Sequence, residues 1–181
     1  MSIWFTSDTH FGHANIIQYC DRPYTSLSEM DEVLIANWNQ VIQPNDILYH
    51  LGDFTLGGQE QATNYFARLN GKISVVPGGH DNKWVSKGGY TSKPGHPIVI
   101  LPPLVTIKLP IPSVGQHQLV VLCHYAMRVW DRSHYGSWHL YGHSHCGLPP
   151  HPDSLDVGID CWNYFPVSLE QISEEMSNAE K

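Results

Sequence analysis

Short runs of apolar residues that end in polar clusters recur along the first half of the chain. Their length and their content of branched and aromatic residues predict buried strands. Between the strands, Ser26 and Glu29 have the spacing of a capping box, and apolar residues recur at helical spacing over 30–41. A second helix is predicted at 59–69. The predicted strands are 3–6, 47–51 and 73–76. This β-α-β-α-β order favours a parallel sheet with right-handed crossovers.

The second half of the chain has a different pattern. Glycine and proline are frequent between 88 and 112 and interrupt any long helix. The β-rich runs 98–101, 105–109 and 119–122 predict a second sheet, mixed or antiparallel. A further strand is predicted at 138–141 and a C-terminal helix at 167–176. Because no repeat or linker interrupts the sequence, we expect a single α/β domain over residues 1–181.

Composition narrows the class of protein. The chain has 12 His against 10 Lys and Arg, and its formal net charge is −7. An acidic chain is a poor candidate for strong non-specific binding to nucleic acid. The chain contains no apolar run of 18 residues, so no membrane-spanning helix is predicted. The first residues do not resemble a signal peptide. None of the four cysteines forms a C-x-x-C pair. We therefore expect a cytoplasmic protein with free thiols, in which the histidines have a chemical role.

Polar clusters rich in Asp and His follow the predicted strands. In open α/β sheets the loops at the carboxyl ends of strands form the ligand site. Carboxylate and imidazole without thiolate suit Mn²⁺, Fe or Zn²⁺ rather than a structural zinc site. More ligands are present than one ion takes, which indicates two ions about 3.5–4 Å apart. The candidate ligands are Asp8, His10, Asp53, His124, His143 and His145.

These motifs, in this order, resemble those of the calcineurin-like metallophosphoesterases. The family pattern is D-x-H, G-D, G-N-H-D or G-N-H-E, H, and G-H-x-H, and it is matched here between residues 8 and 145. The segments 7–13, 49–54 and 124–145 are most similar to small bacterial and phage phosphoesterases. The resemblance implies a four-layer α/β/β/α sandwich of two mixed sheets, with a dinuclear centre at the loops.

The resemblance also implies roles for individual residues. Asp53 would bridge the two ions, and His80 would lie near the substrate phosphate, oriented by Asp81. The first ion would be held by Asp8, His10, Asp53 and His145. The second ion would be held by the bridging Asp53 together with His124 and His143. The chain departs from the pattern at Gly79, where the family has an asparagine that binds the second ion. We therefore expect a weaker second site, unless water, Asn82 or Asn163 replaces that ligand.

The predicted activity is hydrolysis of a phosphoester by a metal-activated hydroxide, with His80 as proton donor to the leaving group. Phosphodiesters are favoured over monoesters, and the expected partners are small or nucleotide-like substrates, with two divalent ions (Mn, Fe, Ni or Zn) as cofactors. Weaker candidates for substrate binding are His13, Arg22, Arg128 and His134. The alternative is a phosphoesterase-like binding module that has weakened or lost catalysis through Gly79. A metallo-β-lactamase pattern is excluded, because Cys146 and Gly147 follow His145.

Overall fold

Two mixed β-sheets form the centre of the protein in a computed structural model, which describes residues 1–111 and 116–179. The strands are β1 (Ile3–Thr6), β2 (Ile47–His50), β3 (Lys72–Val75), β4 (Val99–Ile100), β5 (Leu104–Ile111), β6 (Gln116–Cys123), β7 (Trp138–Tyr141), β8 (Ser154–Asp156) and β9 (Val167–Ser168). The first sheet has the order β4-β3-β2-β1-β9, parallel except for β9. The second has the order β5-β6-β7-β8, in which only β5 and β6 pair antiparallel. The predicted α/β class with two mixed sheets is confirmed.

Within the described ranges, four helices flank the sheets: α1 (Ile16–Tyr19), α2 (Leu27–Val41), α3 (Gln59–Phe66) and α4 (Leu169–Ala179). The predicted cap of α2 is confirmed, because the Ser26 hydroxyl accepts a hydrogen bond from the Glu29 amide at 3.2 Å. Glu29 accepts from Thr25 rather than from Ser26. Short 3-10 turns lie at Asp81–Lys83, Ser133–Tyr135 and Ile159–Cys161. No helix within the described residues is long and apolar enough to cross a membrane.

Two apolar cores lie on opposite faces of the first sheet. On one face, Trp38 of α2 and Phe66 of α3 pack with Leu48 of β2 and Ile73 of β3. On the other face, Phe5 of β1 belongs to a core shared with the second sheet and with α4. Alternating side chains of one strand supply the two cores, as the pleat of a strand requires. The helix-covered sheet therefore fixes β1, β2 and β3 with their carboxyl ends together.

Three assignments from the sequence are wrong or incomplete. The run at 98–101 was expected in the second sheet, but β4 pairs parallel with β3, Ser74 opposite Val99. The predicted C-terminal helix begins at Leu169, because Val167 and Ser168 pair with β1. Strand β8 was not predicted. Strands of two or three residues carry too little periodicity to show which sheet they join.

Candidate metal centre

The loops after β1 and β2 are joined by backbone hydrogen bonds beyond the ends of the strands. The amides of Asp8 and His10 donate to the carbonyls of Gly52 and Asp53, both at 3.0 Å. This pairing continues the parallel register of Thr6 opposite His50. It places the first D-x-H motif and the G-D motif side by side, as expected for loops at the carboxyl edge of a parallel sheet.

The Asp53 carboxylate lies at the centre of the site. Its Oδ2 is 3.4 Å from Nε2 of His124, and 3.8 Å from Nε2 of His10. The Nε2 atom of His80 is 3.7 Å from the same oxygen. The other oxygen, Oδ1, accepts the backbone N–H of His80 at 2.9 Å. One carboxylate oxygen is therefore fixed by the backbone, and the other faces the histidines from several loops.

The six predicted ligands form two groups around this carboxylate. Ligand atoms of Asp8, His10 and His145 lie within 4.8 Å of one another, and so do those of Asp53, His124 and His143. His10 and Asp53 also form such a group with His80. The structure thus brings together residues that are up to 137 positions apart, in two adjacent sets.

Two of the histidines have their Nδ1 atoms held by neighbouring acceptors. Nδ1 of His124 donates to the Leu51 carbonyl at 2.7 Å, which leaves Nε2 as the free nitrogen. Nδ1 of His145 lies 2.7 Å from Oδ2 of Asp160. Such partners fix the ring orientation and tautomer of a metal-binding histidine and strengthen its basicity.

Asp160 is a functional candidate that sequence reasoning missed. Its carboxylate is paired with Arg22, with Nε to Oδ1 at 2.8 Å and Nη2 to Oδ2 at 2.9 Å. Burial raises the pKa of Asp160, but hydrogen bonds from His145 and Arg22 outweigh it and hold that pKa below its ordinary value. The sequence signal was weak: a single Asp following an apolar segment at 157–159, with no motif spacing.

The site is built on strained backbone. Left-handed φ angles are uncommon for residues other than glycine and cost about 1–3 kcal/mol each. Five of the six predicted ligands have them: Asp8 (57°), His10 (50°), Asp53 (57°), His143 (65°) and His145 (45°). This concentration indicates that the surrounding packing imposes the ligand geometry.

Two glycines allow the loops to approach so closely. A Cβ at Gly142 would collide with Ser7 Oγ and Asp8 Oδ2. Gly52 has φ of +94°, and a Cβ there would lie 2.5 Å from the Gly78 amide nitrogen. Neither position accepts a side chain without moving a loop that carries a candidate ligand.

Several buried polar atoms at the site have no hydrogen-bond partner among the described residues. They include Asp8 Oδ1, His10 Nε2 and His124 Nε2. Buried polar atoms are nearly always satisfied, so an unpaired set facing one carboxylate calls for an additional partner. Oxygen and imidazole nitrogen are donors to divalent ions, and this set fits such ions chemically.

The pKa values of the buried acidic and imidazole groups fit a site that binds a cation. Burial raises the pKa of Asp8 to about 7, because the nearby His124 and His145 offset only part of the desolvation. Burial lowers the pKa of His10 to about 2, so its ring is neutral at ordinary pH. For Asp53, burial acts upward, but contact with His124 and the His80 amide brings the pKa below its ordinary value.

The structure corrects two predicted roles. Arg22 was a candidate for phosphate binding, but it is only 4% exposed, and its guanidinium is paired with Asp160 and with the Asp8 carbonyl at 2.7 Å. Asp81 was expected to orient the His80 ring. Its two oxygens instead accept from the amides of Asp53, Phe54 and Gly78 and from the Trp84 indole. Asp81 therefore fixes the Asp53 loop.

The remaining candidates differ in position. His13 lies at the edge of the cluster, with its ring centroid 5.6 Å from that of His10 and 6.2 Å from that of His80. The side chain of His80 is 47% exposed, so it faces the mouth of the site. Arg128 and His134 are exposed on the segment between β6 and β7, and the His134 ring contacts that of Tyr135 at a tilt of 43°. Substrate binding by His13, Arg128 and His134 stays a prediction.

The cysteines are not all free. Cys146 and Cys161 form a disulfide, so the expectation of four thiols is wrong for this pair, whereas Cys20 and Cys123 are free. Each bonded cysteine directly follows one partner of the His145–Asp160 hydrogen bond. That contact brings the two segments together, and no sequence spacing indicated it.

The chain is similar in sequence and in fold to several known proteins. The family model described as calcineurin-like phosphoesterase matches residues 1–147. An uncharacterized protein of Methanocaldococcus jannaschii is 33% identical, over 94% of this chain and 88% of its own length. The gene 66 protein of Mycobacterium phage D29 is 24% identical, over 99% of this chain and 98% of its own length. A protein of unknown function from Aquifex aeolicus has a similar crystal structure, with a TM-score of 0.65 at 21% identity, covering 96% of this chain and 98% of that one.

Proposed function

The chain belongs to the calcineurin-like phosphoesterase family, and from this premise we propose that it hydrolyses small phosphodiesters in preference to monoesters, at a dinuclear metal site. The observation that carries the proposal is the unpaired buried set: Asp8 Oδ1, His10 Nε2 and His124 Nε2, arranged around Asp53. The ions would be held by Asp8, His10, Asp53 and His145 on one side, and by Asp53, His124 and His143 on the other.

Divalent ions bound there would neutralise phosphoryl charge and lower the pKa of a water molecule towards 7. The protein's own groups supply the rest of the chemistry. Hydrogen bonds at Nδ1 of His124 and His145 hold their rings in place, and Asp81 holds the Asp53 loop. The donor atoms are therefore positioned before substrate binds, which is how such a site avoids reorganisation during the reaction.

His80 is the proposed proton donor to the leaving oxygen. Its exposed side chain lies close to Asp53, with Nε2 3.7 Å from Oδ2, and, unlike the exposed His143, it is not among the proposed metal ligands. An alkoxide leaving group needs a proton, and a positioned imidazole can supply it near neutral pH. The exposed mouth leaves room for the second substituent of a phosphodiester, which supports the preference for diesters.

The alternative, a binding module with lost catalysis, is favoured only by Gly79. A module without catalysis has no need to keep five candidate ligands on strained backbone, and these therefore support the enzyme. The number of bound ions separates the two: two per chain supports the enzyme, and none supports the module.

The test is a hydrolysis panel with bis-(p-nitrophenyl) phosphate and p-nitrophenyl phosphate, each with Mn²⁺, Ni²⁺, Zn²⁺, Fe²⁺ or chelator. We expect metal-dependent turnover, faster with the diester. His80→Ala should lower kcat by about 10²–10⁴-fold while leaving the number of bound ions unchanged. His117→Ala changes an exposed histidine of β6 and serves as control. Turnover without metal, or full activity in His80→Ala, would refute the corresponding assignment.

A further inference from the structure

Tyr125 directly follows the candidate ligand His124 and lies against both histidines of the second half of the site. Its ring centroid is 4.8 Å from that of His124 and 4.8 Å from that of His143, with interplanar angles of 73° and 71°. The side chain is 48% exposed. The phenol is thus held edge-on against two candidate ligands, with its hydroxyl at the mouth of the site.

The hydroxyl of Tyr125 lies above Gly79, the position where the family pattern has an asparagine. A Cβ built on Gly79 would have that oxygen 3.1 Å away, and no other described atom outside residues 78–80 lies within 4 Å of it. The amide oxygen of an asparagine lies about 2.4 Å from its own Cβ, by standard bond lengths. The tyrosine oxygen therefore lies within contact distance of an asparagine side chain built at this position.

The other residues considered as replacements are placed differently. Asn163 lines a separate cavity with Trp4 and Val41. Asn82 is exposed in the turn that follows His80. Neither is within 4 Å of the missing Cβ, whereas the Tyr125 oxygen is.

We propose that the Tyr125 hydroxyl takes over the place left by Gly79, where it donates a hydrogen bond to a phosphoryl oxygen held beside His124 and His143. This inference rests on the proposed function, since it requires a phosphoester and divalent ions at the site. A neutral phenol carries an O–H that can donate a hydrogen bond to a phosphoryl oxygen, so Tyr125 compensates at the substrate rather than at the ion. A hydrogen bond to a charged phosphoryl oxygen contributes more to binding than one between neutral groups. Removal of a single hydroxyl should therefore change the phosphate affinity by a measurable amount.

The experiment is a double-mutant cycle with Tyr125→Phe and Gly79→Asn, in which the Mn²⁺-loaded proteins bind inorganic phosphate in a calorimeter. Tyr125→Phe keeps the ring against both histidines, so we expect an unchanged number of bound Mn²⁺ ions and about tenfold weaker phosphate binding. In the Gly79→Asn background the same change should cost less than about threefold, because the amide fills the site and displaces an exposed tyrosine. Tyr135→Phe alters another exposed tyrosine and is the control.

Each outcome decides the proposal. Unchanged phosphate affinity in Tyr125→Phe would refute a role for the hydroxyl. An equal loss in both backgrounds would show that Tyr125 acts independently of Gly79, which would refute the replacement. If the wild-type protein binds no Mn²⁺, the proposed function fails and this inference fails with it. If Mn²⁺ binds but the effects of the two substitutions are additive, the replacement of Gly79 by Tyr125 is refuted and the proposed function is unaffected.

Discussion

Replacing Asp160 with asparagine removes one negative charge from a group of three side chains, in which Asp160 is 8% exposed and His145 is 21% exposed. Asp160 accepts two hydrogen bonds from Arg22 and one from Nδ1 of His145, at 2.7 to 2.9 Å. The variant keeps the size of the side chain, but the amide nitrogen it introduces cannot accept from either partner. Arg22, which is 4% exposed, is left without its counter-charge.

Breaking a buried ion pair costs about 3–5 kcal/mol, which is a large part of the about 5–15 kcal/mol that stabilises a domain. An exposed pair is worth about 1 kcal/mol or less. The pair of Arg68 and Glu32, at 2.6 Å with side chains 43% and 60% exposed, provides the matched control through Glu32→Gln. Loss of the carboxylate behind His145 should also weaken metal binding by about 10–100-fold.

Stability is measured by urea unfolding of chelator-treated protein, because bound ions would themselves stabilise the fold. Mn²⁺ affinity is measured separately by calorimetry. The double variant Arg22→Met with Asp160→Asn removes the unpaired charge, so it should recover stability but not Mn²⁺ affinity. The reasoning is refuted if Asp160→Asn costs no more stability than Glu32→Gln and binds Mn²⁺ like the wild type.

Three further predictions concern pH, packing and metal. His50 is fully buried, with Nδ1 accepting from the Gly52 amide, and burial lowers its pKa to about 3. The unfolded chain therefore takes up a proton that the folded chain does not, so stability is lost as pH falls below about 6.5. In chelator-treated protein, His50→Gln should remove about 1 kcal/mol of the loss in unfolding free energy between pH 7 and 5.5. Urea unfolding that shows the same pH dependence for the variant and the wild type would contradict this. Gly142→Ala forces a methyl group against Ser7 and Asp8, so it should cost about 1–3 kcal/mol and weaken Mn²⁺ binding, and wild-type values in both measurements would be contrary evidence. Chelator should abolish turnover and lower the Tm in calorimetry, with both restored by Mn²⁺; a Tm indifferent to metal would argue against a bound ion.

Much of the fold was predictable because β1, β2, β3 and β7 carry strong apolar runs. Strands of this kind bury their side chains on helix-covered or sheet-covered faces, so local hydrophobicity identifies them. Strands β4, β8 and β9 have two or three residues each and gain their identity from pairing partners. Their sheet membership depends on long-range contacts that local periodicity does not encode.

The candidate ligands were identified from residue type and order. Asp8 and Asp53 follow predicted strands, and strand ends of a parallel sheet meet at one edge, so their meeting follows from the chain itself. The roles of Arg22 and Asp81 were misjudged for the opposite reason. The sequence does not distinguish an arginine or aspartate that faces substrate from one that is hydrogen-bonded to buried neighbours.

By itself, the sequence determined the sheets' main strands and the residue types of the candidate site, because residue type and strand-end position are local properties. Only the tertiary structure decided which nitrogen of His145 is free and what fills the space above Gly79. Asp160 and Arg22 are separated by 138 positions, and Tyr125 and Gly79 by 46. The first pair forms because a buried charge needs a partner, and the second because the folded loops bring the two residues together; in both cases tertiary packing selects the neighbour.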